Sequence, residues 1–506
     1  MTAITIYDGA ETIGGTKIYL EEKGNGLFLD FGMNFKKYGR YFQEFLKERP
    51  TRGIHDLIQL NLIPKINIYR RDLVPSDLNV LSFPSLKVDG ILLSHAHMDH
   101  FGNIALLDHN IPIIASPISI ALLKSIIDSS KASLSNEVAY FFEKVPADDD
   151  RVLKSGSKLG ICRKFYSTQS YPESLEDFLS SCVKKYKDFG KGELYHLDKF
   201  LTPFEIKAFE VDHSIYGAVG FIISRDNSIA YTGDFRLHGK MANKSKNFIK
   251  NAKDASVLII EGTRTTREDI NESEDIVFEN CLDAVETSKD LVVADFSARN
   301  FERLETFREI AHKVGRSLVV TAKDAYLLNA LEKVDGLDRL KDVIVYQELK
   351  VRSSDWEEEY LKKDEDVNYL GPIDISKESN RYILCFSLFN LKSLLDIKPK
   401  KGTYIYSSSE AFEEETEFDF IRLNNWLGHF GFKIYGFEII EEEGRSKPIF
   451  RRGFHASGHV SQNDLRWAID TIDPDLIIPV HTDNPEWFKE NFDNTFLVKD
   501  GETIVI

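Results

Sequence analysis

Short apolar runs that end in a turn or a polar residue recur along the first 260 residues of the chain. The first thirty residues alternate apolar and polar positions around the turn sequence ETIGG, which predicts three strands. Ile91, Leu92 and Leu93 predict a short strand buried on both faces. The later runs PFEIKAFEVDH, GAVGFIIS, SIAYTGD and SVLIIEG have the same form. This density of strands predicts a large mixed sheet or two packed sheets.

Helical patterns are fewer in this part of the chain. IALLDHN and ISIALLKSIID predict helices on either side of a strand, IPIIAS. Residues 34–84 mix aromatic and basic positions, and we expect them to form helices and loops over one face. Residues 130–195 are charged and interrupted by turn residues, so they predict an elaboration of the core fold.

The pattern changes near residue 265. Apolar runs (LVVADFS, SLVVTA, DVIVYQ, RYILCFS and GTYIYSSS) now alternate with helical stretches such as ARNFERLETFREIAHKV. RSSDWEEEYLKKDEDV predicts a solvated acidic helix, and EAFEEETEFDFIRLNNWLG predicts an amphipathic one. The alternation indicates a parallel sheet with crossover helices. The segment after residue 436 predicts a helix in QNDLRWAIDTI, a strand in DLIIPVH and a final strand in FLVKDGETIVI. The α/β region is therefore predicted to be an insertion.

Composition narrows the class of protein. The chain has 506 residues and a formal net charge of −17, which argues against a generally basic nucleic-acid coat but not against a local basic channel. The four cysteines are far apart and form no CxxC pair, as in proteins of a reducing compartment. The first residues carry no secretory signal. Serines and Lys124 interrupt the apolar stretch 111–127, which predicts a core segment, not a membrane span. We therefore expect a cytoplasmic protein without a membrane segment.

Ligand-type residues follow the apolar strands. The loop after Leu93 contains four of them within six residues, and three later strands end in one each. A single histidine or aspartate at such a place is usually a hydrogen-bonding or turn residue. Their repeated position after strands predicts convergence at one sheet edge. The residues are His95, His97, Asp99, His100, His213, Asp234 and His481.

Such a set of nitrogen and oxygen donors is too large for one tetrahedral ion and suits two. A carboxylate can bridge two cations about 3.5–4 Å apart, an arrangement suited to displacement at phosphorus or attack on a carbonyl. Imidazole and carboxylate ligands favour Zn²⁺, with Mn²⁺ as the alternative. Asp30, at the end of GLFLD, is predicted to orient a ligand histidine.

These motifs resemble a known fold family. HAHMDH at 95–100, with His213 and Asp234, resembles the metallo-β-lactamase fold. The resemblance extends over essentially the whole chain to the β-CASP nucleases, in particular the ribonuclease J group. It implies an α/β protein: an αββα sandwich from residues 1–264 and 437–506, interrupted by a β-CASP α/β domain at 265–436. The motifs that carry it are ETIGG, YTGDFR, IIEGTR, ADFSARN, YIYSSS, SGH and IPVH.

The resemblance also implies residue roles. His95, His97 and His213 would bind one metal and Asp99, His100 and His481 the other, with Asp234 bridging. Glu261 matches the acidic residue that opens the inserted domain. His459 matches the histidine that stabilises the transition state or protonates the leaving oxygen. Asp99, Asp234 and His459 are thus the expected catalytic residues.

The expected activity is that of a metal-dependent ribonuclease, acting on RNA from the 5′ end, with internal cleavage as an additional activity. Small polar residues at strand ends would bind a terminal phosphate, although turn formation explains them equally well: Ser297, Asn300, Ser407 to Ser409 and Ser457. The pattern leaves two other classes open, a hydrolase of small esters, thioesters or lactams and a non-catalytic RNA-binding scaffold. The oligomeric state stays open, a homodimer included.

Two positions depart from the family pattern. Thr16 stands where the family has asparagine, and Thr482 stands where it has glycine. We expect Thr482 to alter how the backbone approaches the substrate. We also expect no C-terminal domain of the kind that the bacterial ribonuclease J proteins carry.

Overall fold

A computed structural model describes most of the chain. The described residues are 1–43, 45–130, 133–156, 158–184, 187–267, 272–297, 299–362, 367–408, 414–442 and 445–506. Among the helices within these ranges, none is both long and apolar enough to cross a membrane.

Two sheets are formed by the strands on either side of the inserted region. The N-terminal sheet runs, from edge to edge, Glu193–His196, Lys164–Ser167, Ile113–Ala115, Gly90–Leu92, Asn25–Leu29, Lys17–Glu22, Thr2–Asp8 and Glu502–Val505. The second sheet runs Glu205–Glu210, Val219–Ser224, Ser228–Tyr231, Val257–Glu261 and Leu476–Val480. The last strand of each sheet comes from the end of the chain, so the first fold resumes after the insertion.

The two sheets pack face to face. Ile4, Leu20 and Leu92 of the N-terminal sheet share one buried cluster with Phe221 and Ile259 of the second sheet. Burying one such side chain completely stabilises the fold by roughly 1.5–3 kcal/mol. The alternate residues of each strand face outward, as the two-residue period of a strand requires.

Helices cover both outer faces. Pro117–Ser129 packs in the cluster that contains Ile91 and Ile113 of the N-terminal sheet. Ala242–Asn251 and Gln462–Ile472 pack against Leu258 of the second sheet. The layers are therefore helix, sheet, sheet and helix, which confirms the predicted sandwich.

The inserted region contains a parallel sheet. From edge to edge its strands are Asn368–Leu370, Val343–Tyr346, Ser317–Val320, Tyr382–Cys385, Leu291–Asp295, Gly402–Tyr406 and Phe432–Tyr435. Every pair is parallel, as the alternation of strands and helices predicted. Phe301–Lys313 and Ala322–Asp335 cover one face, and Leu394–Ile397 and Glu414–His429 cover the other.

Apart from the 13-residue helix Glu274–Glu286, the remaining elements are short. The other helices are Phe35–Gly39, His55–Gln59, Met98–Phe101, Glu173–Ser180, Glu274–Glu286, Pro372–Lys377 and Glu486–Asn491. The other strands are Tyr140–Phe141, Lys144–Pro146, Leu153–Ser155, Leu159–Cys162, Asp188–Phe189, Phe437–Glu442 and Arg445–Phe450. The last two form a hairpin that packs against Glu414–His429. The limits at 264 and 436 stay predictions, and this hairpin extends the packing of the inserted domain beyond 436.

Two helix predictions were wrong. IALLDHN forms only the 3₁₀ turn Ile104–Leu106, because its backbone then leaves to bridge Tyr69 at Leu107. RSSDWEEEYLKKDEDV is not a solvated helix in its described part, where Glu357–Leu361 is a single turn with Glu357 and Leu361 buried. Residues 363–366 of that segment lie outside the described ranges. Tertiary packing therefore decides both segments.

Candidate metal centre

The histidine loop begins where the strand Gly90–Leu92 leaves the N-terminal sheet. His95 and His97 lie in the loop, and the short helix Met98–Phe101 then presents Asp99 and His100. The loop packs so closely on the preceding elements that a Cβ on Gly32 would lie 1.6 Å from the carbonyl oxygen of Asp99. Only glycine fits at that position.

Three histidines form the first ligand group. His95 Nε2 lies 3.0 Å from His97 Nδ1, and His213 Nε2 lies 3.2 Å from the same atom. His213, at the end of a second-sheet strand, donates from Nδ1 to the carbonyl oxygen of Gly458 at 2.6 Å, the tautomer that leaves its Nε2 lone pair facing the group. Burial lowers the pKa of His95 and His97 well below the usual value and that of His213 to about 4. These imidazoles are thus neutral at pH 7, as metal ligands must be.

Asp234 joins this group to a second one. Its Oδ2 lies 3.1 Å from His100 Nε2 and 3.7 Å from His481 Nε2. The same oxygen lies 3.7 Å from His95 Nε2, in the first group. Asp99 Oδ2 completes the second group at 3.7 Å from His481 Nε2. One carboxylate oxygen therefore stands between the two sets of donors.

Two polar atoms of the centre have the properties expected of cation ligands. Asp234 Oδ1 and His481 Nε2 are buried and have no hydrogen-bond partner among the described residues. A buried polar atom without a partner costs about 1–3 kcal/mol. Divalent cations would bind both atoms, and imidazole and carboxylate are suitable ligands for them. His481 also adopts a left-handed backbone (φ 52°), a strained conformation that is typical of functional sites.

Asp30 lies behind the ligands, where the sequence predicted a positioning carboxylate. Its carboxylate accepts from His100 Nδ1 at 2.7 Å and from the Tyr231 hydroxyl at 2.6 Å. It also accepts from the Ser94 backbone N–H at 2.7 Å and the Ser94 hydroxyl at 2.6 Å. The bond to His100 fixes the tautomer that leaves Nε2 free for the centre. Thr16, one of the two departures from the family pattern, makes a similar contact, with Oγ1 at 3.1 Å from His481 Nδ1.

His459 and Glu261 form a pair beside the centre. His459 Nδ1 lies 2.9 Å from Glu261 Oε2 and 3.9 Å from Asp234 Oδ2. Glu261 is buried at the end of its strand and accepts from the Phe235 backbone N–H at 2.9 Å. Burial alone would lower the pKa of His459, but the Glu261 carboxylate outweighs it and raises that pKa. A partly exposed imidazole whose pKa is raised in this way is suited to donate a proton.

The structure does not bring all the predicted phosphate-binding residues together. Asn300 begins the helix Phe301–Lys313, its side chain accepting from the Arg303 N–H at 3.1 Å. The Ser457 hydroxyl accepts from the His459 N–H at 3.2 Å. Ser297 and Ser408 instead line a cavity of the inserted domain whose described lining contains neither Asn300 nor Ser457. Ser409 lies outside the described residues.

Sequence reasoning missed the residues that connect the inserted domain to the centre. Arg299 Nη1 donates to the carbonyl oxygen of Ala96, in the histidine loop, at 2.9 Å. Arg236 is fully buried, 3.0 Å from Asp212 and 3.1 Å from Glu274, and it also contacts Glu302. Both arginines belong to motifs already noted, ADFSARN and YTGDFR, which were the available signal.

The sequence and fold of the chain are similar to those of known proteins. Residues 63–125 match the family model described as the metallo-beta-lactamase superfamily, and this range includes the histidine loop. Together with the helix, sheet, sheet and helix layers, this match identifies the fold as the metallo-β-lactamase fold. A protein of unknown function from Enterococcus faecalis V583 has the same fold, with a TM-score of 0.67 at 20% identity over 100% of both chains.

The chain is also similar to curated proteins named ribonuclease J. That of Pyrococcus abyssi is 22% identical over 95% of this chain and 90% of its own length. That of Methanocaldococcus jannaschii is 21% identical over 94% and 90%. The Mycoplasma pneumoniae protein is 22% identical over 78% of this chain but only 58% of its own length. The resemblance predicted from the motifs is thus confirmed.

Proposed function

We propose that this protein is a ribonuclease that hydrolyses RNA phosphodiester bonds with two divalent cations, most suitably Zn²⁺. The observation that carries the proposal is the position of Asp234 Oδ2 between the two donor groups. The similarity to archaeal ribonuclease J over nine tenths of its length supports RNA as the substrate. Hydrolysis of a phosphodiester needs an activated water and a proton for the leaving oxygen.

Different residues would bind the cations and transfer the proton. His95, His97 and His213 would hold one cation and Asp99, His100 and His481 the other, while Asp30 orients His100. When bound, the cations would polarise the phosphate and lower the pKa of a water. His459, whose Nδ1 proton is held by Glu261, protonates the departing 3′-oxygen from its other nitrogen.

The proposal also includes the direction in which the RNA is cleaved. Arg299 places a guanidinium group beside the histidine loop, and this group suits a phosphate at the 5′ end of the strand. We propose cleavage from that end, with internal cleavage as a slower activity.

End-labelled single-stranded RNA tests both parts. A 5′-monophosphate RNA should be degraded faster than its 5′-triphosphate counterpart and should release mononucleotides first. Equal rates, with internal fragments appearing first, would contradict the direction but keep the ribonuclease. Hydrolysis of small esters, thioesters or lactams with RNA left intact would replace the proposal by the small-substrate hydrolase.

A further inference from the structure

A crevice of about 910 Å³ lies at the carboxyl ends of the parallel sheet, apart from the metal centre. Ser297, Thr321, Tyr346, Ser387 and Ser408 line it, each just after or at the end of a different strand. Its volume is at the upper end of the roughly 300–1,000 Å³ typical of ligand sites.

The crevice lies where the connections of the sheet change sides. Leu291–Asp295 and Ser317–Val320 lead into helices on one face, whereas Tyr382–Cys385 and Gly402–Tyr406 lead into helices on the other. Open α/β sheets bind their ligands at the carboxyl ends of the strands at such a switch point. The topology therefore indicates a binding site.

The charges of the lining disfavour a phosphate. Asp295, Asp324, Glu348, Glu357 and Asp419 contribute carboxyl groups, against two lysines, Lys323 and Lys350. Lys350 is already bound to Glu357, with its Nζ 2.6 Å from Oε2. Burial raises the pKa of Asp295 to about 7, so near neutral pH its carboxyl group can also donate a hydrogen bond. The crevice thus suits an uncharged ligand with several donors and acceptors.

Aromatic rings form much of the apolar part of the lining. Phe296, Phe386 and Tyr406 form its wall, and Phe389 is 82% exposed beside it. Asn390 lies next to Phe389, with its Oδ1 accepting from the Ser387 backbone N–H at 3.2 Å. A flat ring that stacks on an aromatic side chain and carries hydrogen-bonding edges matches these groups, and a nucleobase is such a ring.

One residue of the crevice lining is near in sequence to a residue that contacts the histidine loop. Ser297 lines the crevice, and Arg299 bonds to the histidine loop. Two residues span at most about 7 Å along the backbone, so the crevice wall at Ser297 adjoins the residue that contacts the histidine loop.

We propose that the crevice holds a nucleobase of the RNA substrate, turned out of the strand and stacked on Phe389, with its phosphates outside on the Arg299 side. This inference rests on the proposed ribonuclease function and adds to it a base-binding subsite in the inserted domain.

The test is equilibrium binding of short single-stranded RNA to the metal-loaded His459→Ala protein, in which cleavage is slow. An abasic nucleotide is placed at each position in turn. We expect one position to weaken binding at least about fivefold, the smallest loss typical of one base–aromatic stack. Phe389→Ala should weaken binding of the intact RNA by the same factor and abolish the abasic effect. Phe45→Ala is the matched control, because Phe45 is 88% exposed and lies outside the lining.

The outcomes separate the two proposals. Binding of RNA without a sensitive position, or equal effects of Phe389→Ala and Phe45→Ala, overturns the base-binding crevice and leaves the ribonuclease standing. A metal-loaded protein that binds no RNA overturns the ribonuclease and, with it, the crevice.

Discussion

His459 Nδ1 lies 2.9 Å from the carboxylate of Glu261. In the sequence, Glu261 precedes the inserted domain and His459 follows it. Glu261 ends the last strand before the insertion, and His459 follows the hairpin after it. The pair therefore forms only when the inserted domain has folded and returned the chain to the second sheet.

His459→Ala should slow the chemical step about a hundredfold or more, because the leaving oxygen loses its proton donor. Metal content and RNA affinity should not change, since His459 is outside both proposed ligand groups. Single-turnover cleavage with elemental analysis measures both quantities. His312→Ala, at an exposed histidine, is the control. A parallel fall of metal content and rate would make His459 a ligand.

Asp234→Ala should lose activity and at least one equivalent of metal, because its carboxylate oxygen faces both donor groups. Elemental analysis of the purified variant measures the loss, and Asp493→Ala, at an exposed acid, should retain the wild-type content. Two retained equivalents would remove Asp234 from the bridging position.

Asp30→Asn should weaken metal binding about 10- to 100-fold, the usual effect of removing a partner that orients a ligand histidine. The amide keeps the size of the side chain but replaces one of the oxygens that hold His100 and Ser94 by a donor. Chelator competition measures the affinity, with Asp226→Asn as the surface control. Unchanged affinity would show that His100 is positioned without Asp30.

Arg236→Ala should lower the free energy of unfolding by about 3–5 kcal/mol, because it leaves the carboxylates of Asp212, Glu274 and Glu302 buried without their shared partner. Denaturant unfolding measures the change. Arg451→Ala removes an exposed pair with Glu438 and should cost at most about 1 kcal/mol. Similar losses in the two variants would mean that the buried network does not stabilise the contact between domains.

Asp295 should make stability depend on pH. Burial raises its pKa to about 7 in the folded protein, whereas an unfolded aspartate titrates near 3.9. The protonated form therefore stabilises the fold fully below about pH 4, and this contribution is lost as the pH rises to about 7. The loss is at most about 1.4 kcal/mol per pH unit. Asp295→Asn should remove this slope from unfolding curves recorded between pH 4 and 7, and an unchanged slope would contradict the shift.

The strand-ending ligands were predictable because they obey a local rule. His213, Asp234 and His481 each follow an apolar run, and strand ends on one side of a sheet meet at one edge. The same rule placed Ser297 and Ser408 correctly at strand ends. It failed to show that Ser297 and Ser408 line a cavity whose described lining does not include Ser457, since that depends on how the inserted domain packs.

The interdomain contacts were not predictable from any local pattern. Arg236 and Glu302 look like ordinary charged residues in the sequence, and only the packed structure makes them buried partners. IALLDHN failed for the same reason, because a long-range bridge to Tyr69 decides its conformation. Periodicity reports which face of an element is apolar, not which distant residue meets it.

The strand Leu476–Val480 completes the second sheet beside Val257–Glu261 and carries His481 at its end. During synthesis on the ribosome, His95 to His100 emerge before the inserted domain, but His459 and His481 emerge only after the whole of that domain has been made. A nascent chain that stops short of His481 therefore has no complete centre. The proposed nuclease activity cannot act on the messenger RNA from which the chain is being translated until the ribosome has passed the codon for His481.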